Sequence, residues 1–385
     1  MRRVDAIVVG GGLAGMAAAV AVGRSGIEAL HIAPKAPPDR RTSALMGPSV
    51  AWMQEAELIG EPGEIGHPLK AIRIIDATAR AIRAPEVLFR AEEAGLPAFG
   101  WNFPNVALAA RFETARQALG NVGVIEKSAK KLARADGKWE LTLASGEVLA
   151  APLIVGADGK TSLVRSAAGF RTREEKHAQA ALVADLELTR PLEGTSVEFH
   201  YENGPFTLVP ANGTRANLVW IDAPDRLAAA QASGPQALEE TFAGLSRRLF
   251  GPIRLLTGTH VFPLSNLTVN RAGLNGVLLA GESAHAFPPI GAQGLNLGLR
   301  DVADLSQVLG EADRSSPDWA VRASEDYAQR RAGDLARTGA LVDGLFRSLV
   351  GGLLPTHAMR AGGLWAMKLS PALRRRAFAV GMGNR

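Results

Sequence analysis

The chain has 385 residues, no cysteine and a formal net charge of +5. Its length allows two domains, and the lack of cysteine excludes disulfides and thiolate-bound metal sites. No run of about 18 uninterrupted apolar residues occurs, so we expect no membrane-spanning helix. The first apolar run leads into a glycine loop and has no cleavage-site pattern, so we expect no signal peptide and a cytoplasmic location.

The first predicted element is a dinucleotide-binding turn. A strand from Arg3 to Val9 is followed by Gly10-Gly11-Gly12-Leu13-Ala14-Gly15 and by an alanine-rich helix that runs to about Arg24. Glycines at this spacing let the backbone and the N-terminus of the helix approach a pyrophosphate. The predicted contacts are therefore Gly10, Gly12, Leu13, Ala14 and Gly15.

The second strand, Glu28 to Ile32, lacks one part of this pattern. An acidic residue about 20 positions beyond the glycines normally binds the ribose hydroxyls. Here Ala33 follows the strand, and Glu28 opens the strand rather than closing it. A lost hydrogen bond to a charged group is worth about 1.5–3 kcal/mol, so we expect looser binding of the nucleotide.

A similar strand end occurs later in the chain. The apolar segment Leu153–Ala157 leads into Asp158-Gly159, and Thr161 or Ser162 can cap the helix that follows. On its own this pattern fits an ordinary strand-to-helix turn. Two other strands of the chain, before Gly10 and before Gly281, also end in a glycine turn. Asp158 and Gly159 are therefore candidate contacts of the dinucleotide that the Gly10 turn is predicted to bind.

Alternating apolar residues next predict an antiparallel sheet. The segments are Ala181–Leu188, Ser196–Tyr201, Phe206–Pro210 and Ala216–Ile221, with a helix at Gln236–Phe250 and a strand at His260–Pro263. Two interpretations are open for its larger apolar residues, which either line a ring pocket or form the sheet core: Phe199, Phe206, Leu208, Val219 and Trp220.

Residues 281–298 are the most informative run of the sequence. An apolar strand ends in Gly281-Glu282, whose carboxylate can accept hydrogen bonds from a polyol. The glycines Gly291 and Gly294 let the backbone approach a flat ligand, and the helix that begins near Gly294 directs its free N–H groups at that ligand. This pattern predicts a flavin site. His285 lies in the run, where it braces the turn or contacts substrate.

The C-terminal segment from Gly344 to Arg385 carries the excess positive charge. It has no acidic residue and seven basic ones: Arg347, Arg360, Lys368, Arg374, Arg375, Arg376 and Arg385. Its apolar residues are spaced as in helices: Leu345, Phe346, Leu349, Val350, Leu353, Leu354, Leu364, Trp365, Met367 and Leu369. This composition is typical of a segment that lies on an anionic membrane surface, and it also fits terminal helices with solvated arginines. Few aromatic residues lie among the bases, so we expect no nucleic-acid binding.

The three motifs together resemble those of the single-component FAD-dependent aromatic hydroxylases, and most of all the hydroxylases of ubiquinone biosynthesis. The similarity runs nearly end to end and is most specific from Gln293 to Asp301. It implies that FAD is held by Arg41, Thr42, Asn105, Glu282, Pro289, Ala292, Leu295 and Asn296, besides the motif residues Gly10, Gly12, Leu13, Ala14, Gly15, Asp158, Gly159, Gly281, Gly291 and Gly294. The chain departs from the family at two positions, Ala33 and Glu282, where the family has acidic residues and aspartate, respectively.

The resemblance implies an α/β fold. It consists of a Rossmann-like FAD-binding domain built from separated segments (1–70, 101–177 and 269–330), an inserted antiparallel-sheet substrate domain (71–100 and 178–268) and a C-terminal helical region (331–385).

The resemblance also implies the activity. The expected reaction uses NAD(P)H and O2 to hydroxylate the ring of a prenylated phenol, at the inner face of the membrane and in contact with other ubiquinone-synthesis proteins. Two alternatives are a flavin-dependent reductase or dehydrogenase of a prenyl lipid, and a flavin-poor scaffold subunit. The histidine spacing shows no metal site, and the sequence assigns no residue to activation of the phenol.

Overall fold

A computed structural model describes residues 1–79, 83–350, 354–370 and 372–376. Leu353 and Arg385 lie outside the described residues, as do the side chains of Val350, Leu354 and Arg360.

The described residues form the following strands and helices, numbered in chain order. The strands are β1 (Arg2–Arg3), β2 (Ala6–Val9), β3 (Ala29–Ile32), β4 (Thr42–Met46), β5 (His67–Leu69), β6 (Ala71–Asp76), β7 (Val87–Arg90), β8 (Gly100–Pro104), β9 (Val122–Ile125), β10 (Ala129–Ala135), β11 (Lys138–Leu143), β12 (Val148–Ala151), β13 (Leu153–Gly156), β14 (Thr172–Leu188), β15 (Thr195–Tyr201), β16 (Gly204–Pro210), β17 (Arg215–Asp222), β18 (Ile253–Leu255), β19 (His260–Val269), β20 (Gly273–Leu274), β21 (Val277–Leu279) and β22 (His285–Ala286). The helices are α1 (Leu13–Arg24), α2 (Gly47–Glu55), α3 (Asn105–Gln117), α4 (Leu163–Ala167), α5 (Pro224–Ala232), α6 (Pro235–Leu245), α7 (Gln293–Glu311), α8 (Trp319–Val350) and α9 (Leu354–Leu369).

One sheet carries the three motifs. Its strand order is β20-β21-β13-β2-β3-β9, and the strands from β21 to β9 run parallel. The inner strands are buried on both faces, as is usual in parallel sheets. Ala6 and Val8 pack in the cluster that includes α1 and α7, whereas Ile7 and Val9 pack with the antiparallel strands β10–β12.

A second, larger sheet is formed mainly by the segment between the Asp158 and Gly281 motifs, and β6, β7 and β22 join it. Its main order is β22-β19-β14-β17-β16-β15-β6-β7. One face packs under α5 and α6, through Trp220 and Phe206 against Phe242. The other face meets Ile290 of the third motif and Phe346 of α8 through Ala181 and Ile221.

This arrangement favours the sheet-core interpretation of the larger apolar residues over a ring pocket. Four of the five suggested residues are buried beneath α5 and α6, where they form sheet core: Phe199, Phe206, Leu208 and Trp220. Val219 alone of the five packs beside the cluster that contains Ile290. Alternation in the sequence shows that two faces exist, but it does not show which face the helices cover.

Most predicted elements are present, with changed bounds. Helix α6 ends at Leu245 rather than near Phe250, since Arg247 and Arg248 have left-handed backbone angles of φ 51° and 55°. The preceding helix α5 was not predicted. The mixed α/β class with parallel and antiparallel sheets is confirmed, whereas the division into domains stays a prediction. Across the described residues, no helix has the length and apolar character that crossing a membrane requires.

Candidate functional site

The three sequence motifs meet at one edge of the parallel sheet. Val9 pairs with Gly156 in register, and Gly156 pairs with Leu279, so the strands β2, β13 and β21 end side by side. Residues that follow these strands are therefore neighbours, although they are far apart in the chain. Ligands of open α/β sheets bind outside such carboxyl ends.

The glycine loop after β2 has two glycines that packing requires and one that leaves open space. A Cβ on Gly10 would lie 2.0 Å from the carbonyl oxygen of Ala157, and a Cβ on Gly15 would lie 2.0 Å from the carbonyl oxygen of Gly10. A Cβ on Gly12 would meet no atom within 4 Å. Gly12 is also the N-cap of α1 and provides no side-chain hydrogen bond. The first N–H groups of α1 therefore face an open cradle that suits an anion.

His31 supports this loop from the neighbouring strand. Its Nε2 lies 2.8 Å from the carbonyl oxygen of Gly10, to which it donates. Burial lowers the pKa of His31, and the hydrogen bond to Gly10 only partly opposes this effect. His31 had no predicted role, although it is a polar residue within a strand that is otherwise apolar.

The Asp158 motif is tied to the third motif by hydrogen bonds. The Asp158 carboxylate accepts hydrogen bonds from Ser162 and from Ser283 Oγ at 3.1 Å. The backbone N–H of Gly159 also donates to Ser283 Oγ, at 3.1 Å. Ser162, rather than Thr161, caps α4, because its Oγ accepts from the N–H of Arg165. The motif thus fixes the position of residues 281–283 relative to β13.

The third motif leads into α7 through two residues with left-handed backbone. Gly291 has φ 63° and Ala292 has φ 55°, and Ala292 is the N-cap of α7 without a side-chain hydrogen bond. A Cβ on Gly294 would meet no atom within 4 Å. The N-terminus of α7 is therefore open and carries the partial positive charge of the helix dipole. Leu295 is half-buried against the core, and Pro289 is exposed.

Asn296 braces this turn against β4. Its Oδ1 accepts from the N–H of Met46 at 2.9 Å, and its Nδ2 donates to the carbonyl oxygens of Ala44 at 2.9 Å and Ala292 at 2.6 Å. The side chain is almost completely buried. Asn296 thus holds together the two backbone segments that the resemblance assigns to the flavin.

Arg41 and Asn105 share one carboxylate. Arg41 donates two hydrogen bonds to Asp39, at 2.8 and 2.9 Å, and Asn105 Nδ2 donates a third at 2.8 Å. Burial raises the pKa of Asp39, but these hydrogen bonds outweigh burial, so the pKa lies below its ordinary value. The Asp39 hydrogen bonds raise the pKa of Arg41, and the charge of Glu282 adds to this effect. Glu282 is therefore close enough to Arg41 for its charge to act on it.

A buried cluster of charges lies behind Gly281. Asp301 of α7 accepts from the N–H of Gly281 at 2.8 Å and lies 2.6 Å from His285 Nε2. Arg331 of α8, which is 0% exposed, forms an ion pair of 2.7 Å with Asp301. Burial alone would lower the pKa of Arg331, but Asp301 and the other acids nearby raise it.

This cluster favours the bracing interpretation of His285. Its ring lies parallel to that of Phe287, with centroids 6.0 Å apart, and its Nε2 is engaged with Asp301. Arg331 was not recognisable as a member of the site from the sequence. The described residues contain no group of histidine and acidic side chains suited to a metal ion.

A cleft of about 430 Å³ separates the small sheet β4-β8-β5 from the large sheet. Thr42 and Asn102 line one side, and Asp185 and Asn217 line the other. Asn102 Nδ2 donates to Asn217 Oδ1 at 2.8 Å, and Asn217 Nδ2 donates to Asp185 at 2.7 Å. Asn102 Oδ1 is buried without a hydrogen-bond partner. The volume of the cleft suits a small aromatic ring, and the walls of the cleft offer both hydrogen-bond donors and acceptors.

These residues fit FAD. The open cradles at Gly12 and Gly294 lie at the N-termini of α1 and α7, where anionic groups are favoured. Ala33 leaves the usual ribose position without a carboxylate. Direct contacts of individual residues with FAD, including those predicted for Leu13, Ala14, Thr42 and Glu282, stay predictions.

Comparison with known proteins agrees with this site. Residues 129–337, more than half of the chain, match the family described as FAD binding domain. The chain is 29% identical over 396 residues to ubiquinone hydroxylase UbiL of Rhodospirillum rubrum, covering 99% of this chain and 90% of that protein. It is 28% identical over 387 residues to 3-demethoxyubiquinol 3-hydroxylase of Escherichia coli, covering 98% and 97%. Among solved structures, p-nitrophenol 4-monooxygenase PnpA of Pseudomonas putida shares the fold with a TM-score of 0.81 and 17% identity, over 100% of both chains.

The family match and the similarity to two ubiquinone hydroxylases confirm the class predicted from the sequence, a FAD-dependent monooxygenase. The chain belongs to the family with this FAD binding domain, and FAD is its cofactor.

Proposed function

We propose that this protein hydroxylates the aromatic ring of a prenylated phenol in ubiquinone biosynthesis, using NAD(P)H and O2. The observation that carries the proposal is the similarity over 98–99% of the chain to two ubiquinone hydroxylases. The most specific part of the sequence resemblance, Gln293 to Asp301, lies in the first half of α7, whose N-terminus is open.

The residues of the chain have positioning roles in this proposal. FAD supplies the activation of O2 and the transfer of its oxygen atom. Asn296 holds the turn before α7, whose dipole stabilises negative charge on a bound ring. Asn102 and Asp185 provide polar partners for a phenol hydroxyl in the cleft, and the apolar contacts of Ile290 help to keep water out.

The test is oxygen labelling with the purified holoprotein. With a prenylated phenol, NADH or NADPH and ¹⁸O₂, we expect substrate-stimulated oxidation of the nicotinamide and one labelled oxygen in the product ring. Nicotinamide oxidation with a reduced, unlabelled lipid product would instead support the reductase alternative. Substoichiometric FAD without any stimulated oxidation would support the flavin-poor scaffold.

We propose further that the C-terminal helices hold the enzyme at the inner, anionic face of a membrane. Three apolar side chains project outward: Trp365 is 49% exposed, Leu369 is 75% exposed and Leu373 is 44% exposed. Lys368 lies 5.6 Å from the Trp365 ring centroid, and Arg375 and Arg376 are exposed nearby in sequence. Aromatic and basic side chains together suit the interface of an anionic bilayer.

The opposite side of α9 supports a link between this surface and the flavin turn. Leu364 and Met367 pack in a cluster that includes Met46 and Ala292. Arg374, just beyond α9, donates to Glu93 at 2.8 Å and to the carbonyl oxygen of Met367 at 2.8 Å. A lipid substrate that leaves the bilayer at α9 would have a short path to the site.

Vesicle binding tests the membrane proposal. The double variant Trp365→Glu/Leu369→Glu should lose most binding to vesicles that contain phosphatidylserine, and wild-type binding should weaken as salt is added. Leu249→Glu, an exposed leucine of the large-sheet segment, is the matched control and should bind as wild type does. Equal binding of the double variant and the wild type would refute the proposal.

A further inference from the structure

The strand beside β3 supplies an acidic residue where the nucleotide site lacks one. The N–H of Ala33 donates to the carbonyl oxygen of Ile125 at 3.1 Å, so the parallel pairing of β3 with β9 continues past Ile32. This register places Glu126 directly beside Ala33. Neighbouring strands lie about 4.8 Å apart, which a glutamate side chain can span.

The side chain of Ala33 faces the glycine loop. A Cβ on Gly11 would lie 3.5 Å from the Cβ of Ala33, and paired residues of parallel strands direct their side chains to the same face. Glu126 therefore starts on the nucleotide side of the sheet. Lys35, two residues beyond Ala33, forms an ion pair of 3.0 Å with Glu126.

This ion pair is suited to exchange partners with a ligand. The side chains are 80% exposed for Lys35 and 55% exposed for Glu126, and ion pairs in such positions stabilise a fold little. Two other acids near this edge already have partners. Asp39 accepts from Arg41 and Asn105. Asp158 likewise accepts from Ser162 and Ser283.

We propose that Glu126, positioned by Lys35, accepts hydrogen bonds from the ribose hydroxyls of the adenosine half of FAD. It thereby replaces the acid that the nucleotide-binding pattern expects at position 33. The inference rests on FAD as cofactor and not on the proposed substrate, so loss of hydroxylation alone would leave it standing.

The first experiment measures FAD affinity of the apoprotein by flavin fluorescence. Glu126→Ala should raise the dissociation constant about ten- to a hundredfold, because the hydrogen bonds lost involve a charged acceptor. Glu240 of α6 forms a similarly exposed ion pair with Arg248, so Glu240→Ala serves as the matched control. FAD affinity of Glu126→Ala within twofold of wild type, at unchanged melting temperature, would overturn the proposal.

The second experiment separates a direct contact from an indirect effect. ADP and 2′,3′-dideoxy-ADP compete with FAD, and wild type should prefer ADP whereas Glu126→Ala should not discriminate. Ala33→Glu should restore affinity and discrimination in the Glu126→Ala background. In the wild-type background Ala33→Glu should increase FAD affinity less, because it would place a second negative charge beside Glu126. Discrimination that persists in Glu126→Ala would show that another group binds the ribose.

Discussion

At the scale of single residues, a buried histidine supports the nucleotide loop. His31 donates to the carbonyl oxygen of Gly10, and burial lowers the pKa of its ring. In the unfolded chain the pKa of histidine is about 6.5, so the unfolded state takes up a proton at a higher pH than the folded state. His31 therefore contributes a loss of stability as the pH falls below about 6.5.

This sign gives a testable prediction. His31→Gln keeps an N–H donor but cannot titrate, so its melting temperature should fall less than that of wild type between pH 7.5 and pH 5.5. The comparison requires thermal melts of the apoprotein at several pH values. His260→Gln, at an exposed position, is the control and should follow wild type. A His31→Gln profile parallel to the wild-type profile would contradict the prediction.

Adjacent arginines show what the sequence could not reveal at this scale. Arg330 is exposed and pairs with Glu311, whereas Arg331 is fully buried among acids. Both residues are compatible with the sequence pattern of α8. Only the packing of α8 against α7 decides which of the two is enclosed. The glycine spacing, by contrast, is a local property and was readable directly.

At the scale of elements, the glycine loop contains one glycine that the fold requires, Gly15, and one that ligand binding is expected to require, Gly12. Gly15→Ala would place a Cβ 2.0 Å from the carbonyl oxygen of Gly10, so we expect misfolding or a large loss of stability. Gly12→Ala meets no atom and has an ordinary φ of −78°, so the apoprotein should melt near the wild-type temperature. Its methyl group would occupy the cradle, and we expect at least tenfold weaker FAD binding.

Calorimetry of the two apoproteins and FAD titration of Gly12→Ala check this pair. Gly120→Ala, where a Cβ also meets no atom, is the control outside the loop and should bind FAD normally. Tight FAD binding by Gly12→Ala would mean that the pyrophosphate does not lie over this glycine.

The elements of the nucleotide sheet were predictable because each buried strand ends in a recognisable turn. The large sheet was predictable as alternating strands, but its faces were not. Phe199 and Trp220 are as compatible with a pocket as with a core until α5 and α6 cover them. Helix α5 itself was missed, and the left-handed residues Arg247 and Arg248 ended α6 early.

At the scale of the whole molecule, Arg331 connects α8 to α7 and to the turn that follows β21. It pairs with Asp301, Asp304 and Asp334, and Asp301 also holds the N–H of Gly281. Removal of one partner of a buried ion pair leaves uncompensated charge. We therefore expect Arg331→Met to lower the free energy of unfolding by about 3–5 kcal/mol and to weaken FAD binding.

Denaturant unfolding and FAD titration measure these two effects. Arg330→Met is the matched control, and because its ion pair is exposed its cost should stay below about 1 kcal/mol. Neutralising acids in the same background, as in Arg331→Met/Asp301→Asn/Asp334→Asn, should recover part of the loss. A cost for Arg331→Met no larger than that for Arg330→Met would argue against the cluster.

The cluster around Arg331 also constrains how this protein can diverge. Arg331 pairs with all three carboxylates, and Asp334 also pairs with Arg300. Because these charges are buried together, a change of charge at Arg331 or at one of its acids alone should carry a large cost in stability. The four positions 301, 304, 331 and 334 should therefore be inherited as a unit. Homologues that lack an arginine at position 331 should also lack acids at positions 301, 304 or 334. Covariation of these positions among homologous sequences can test that expectation.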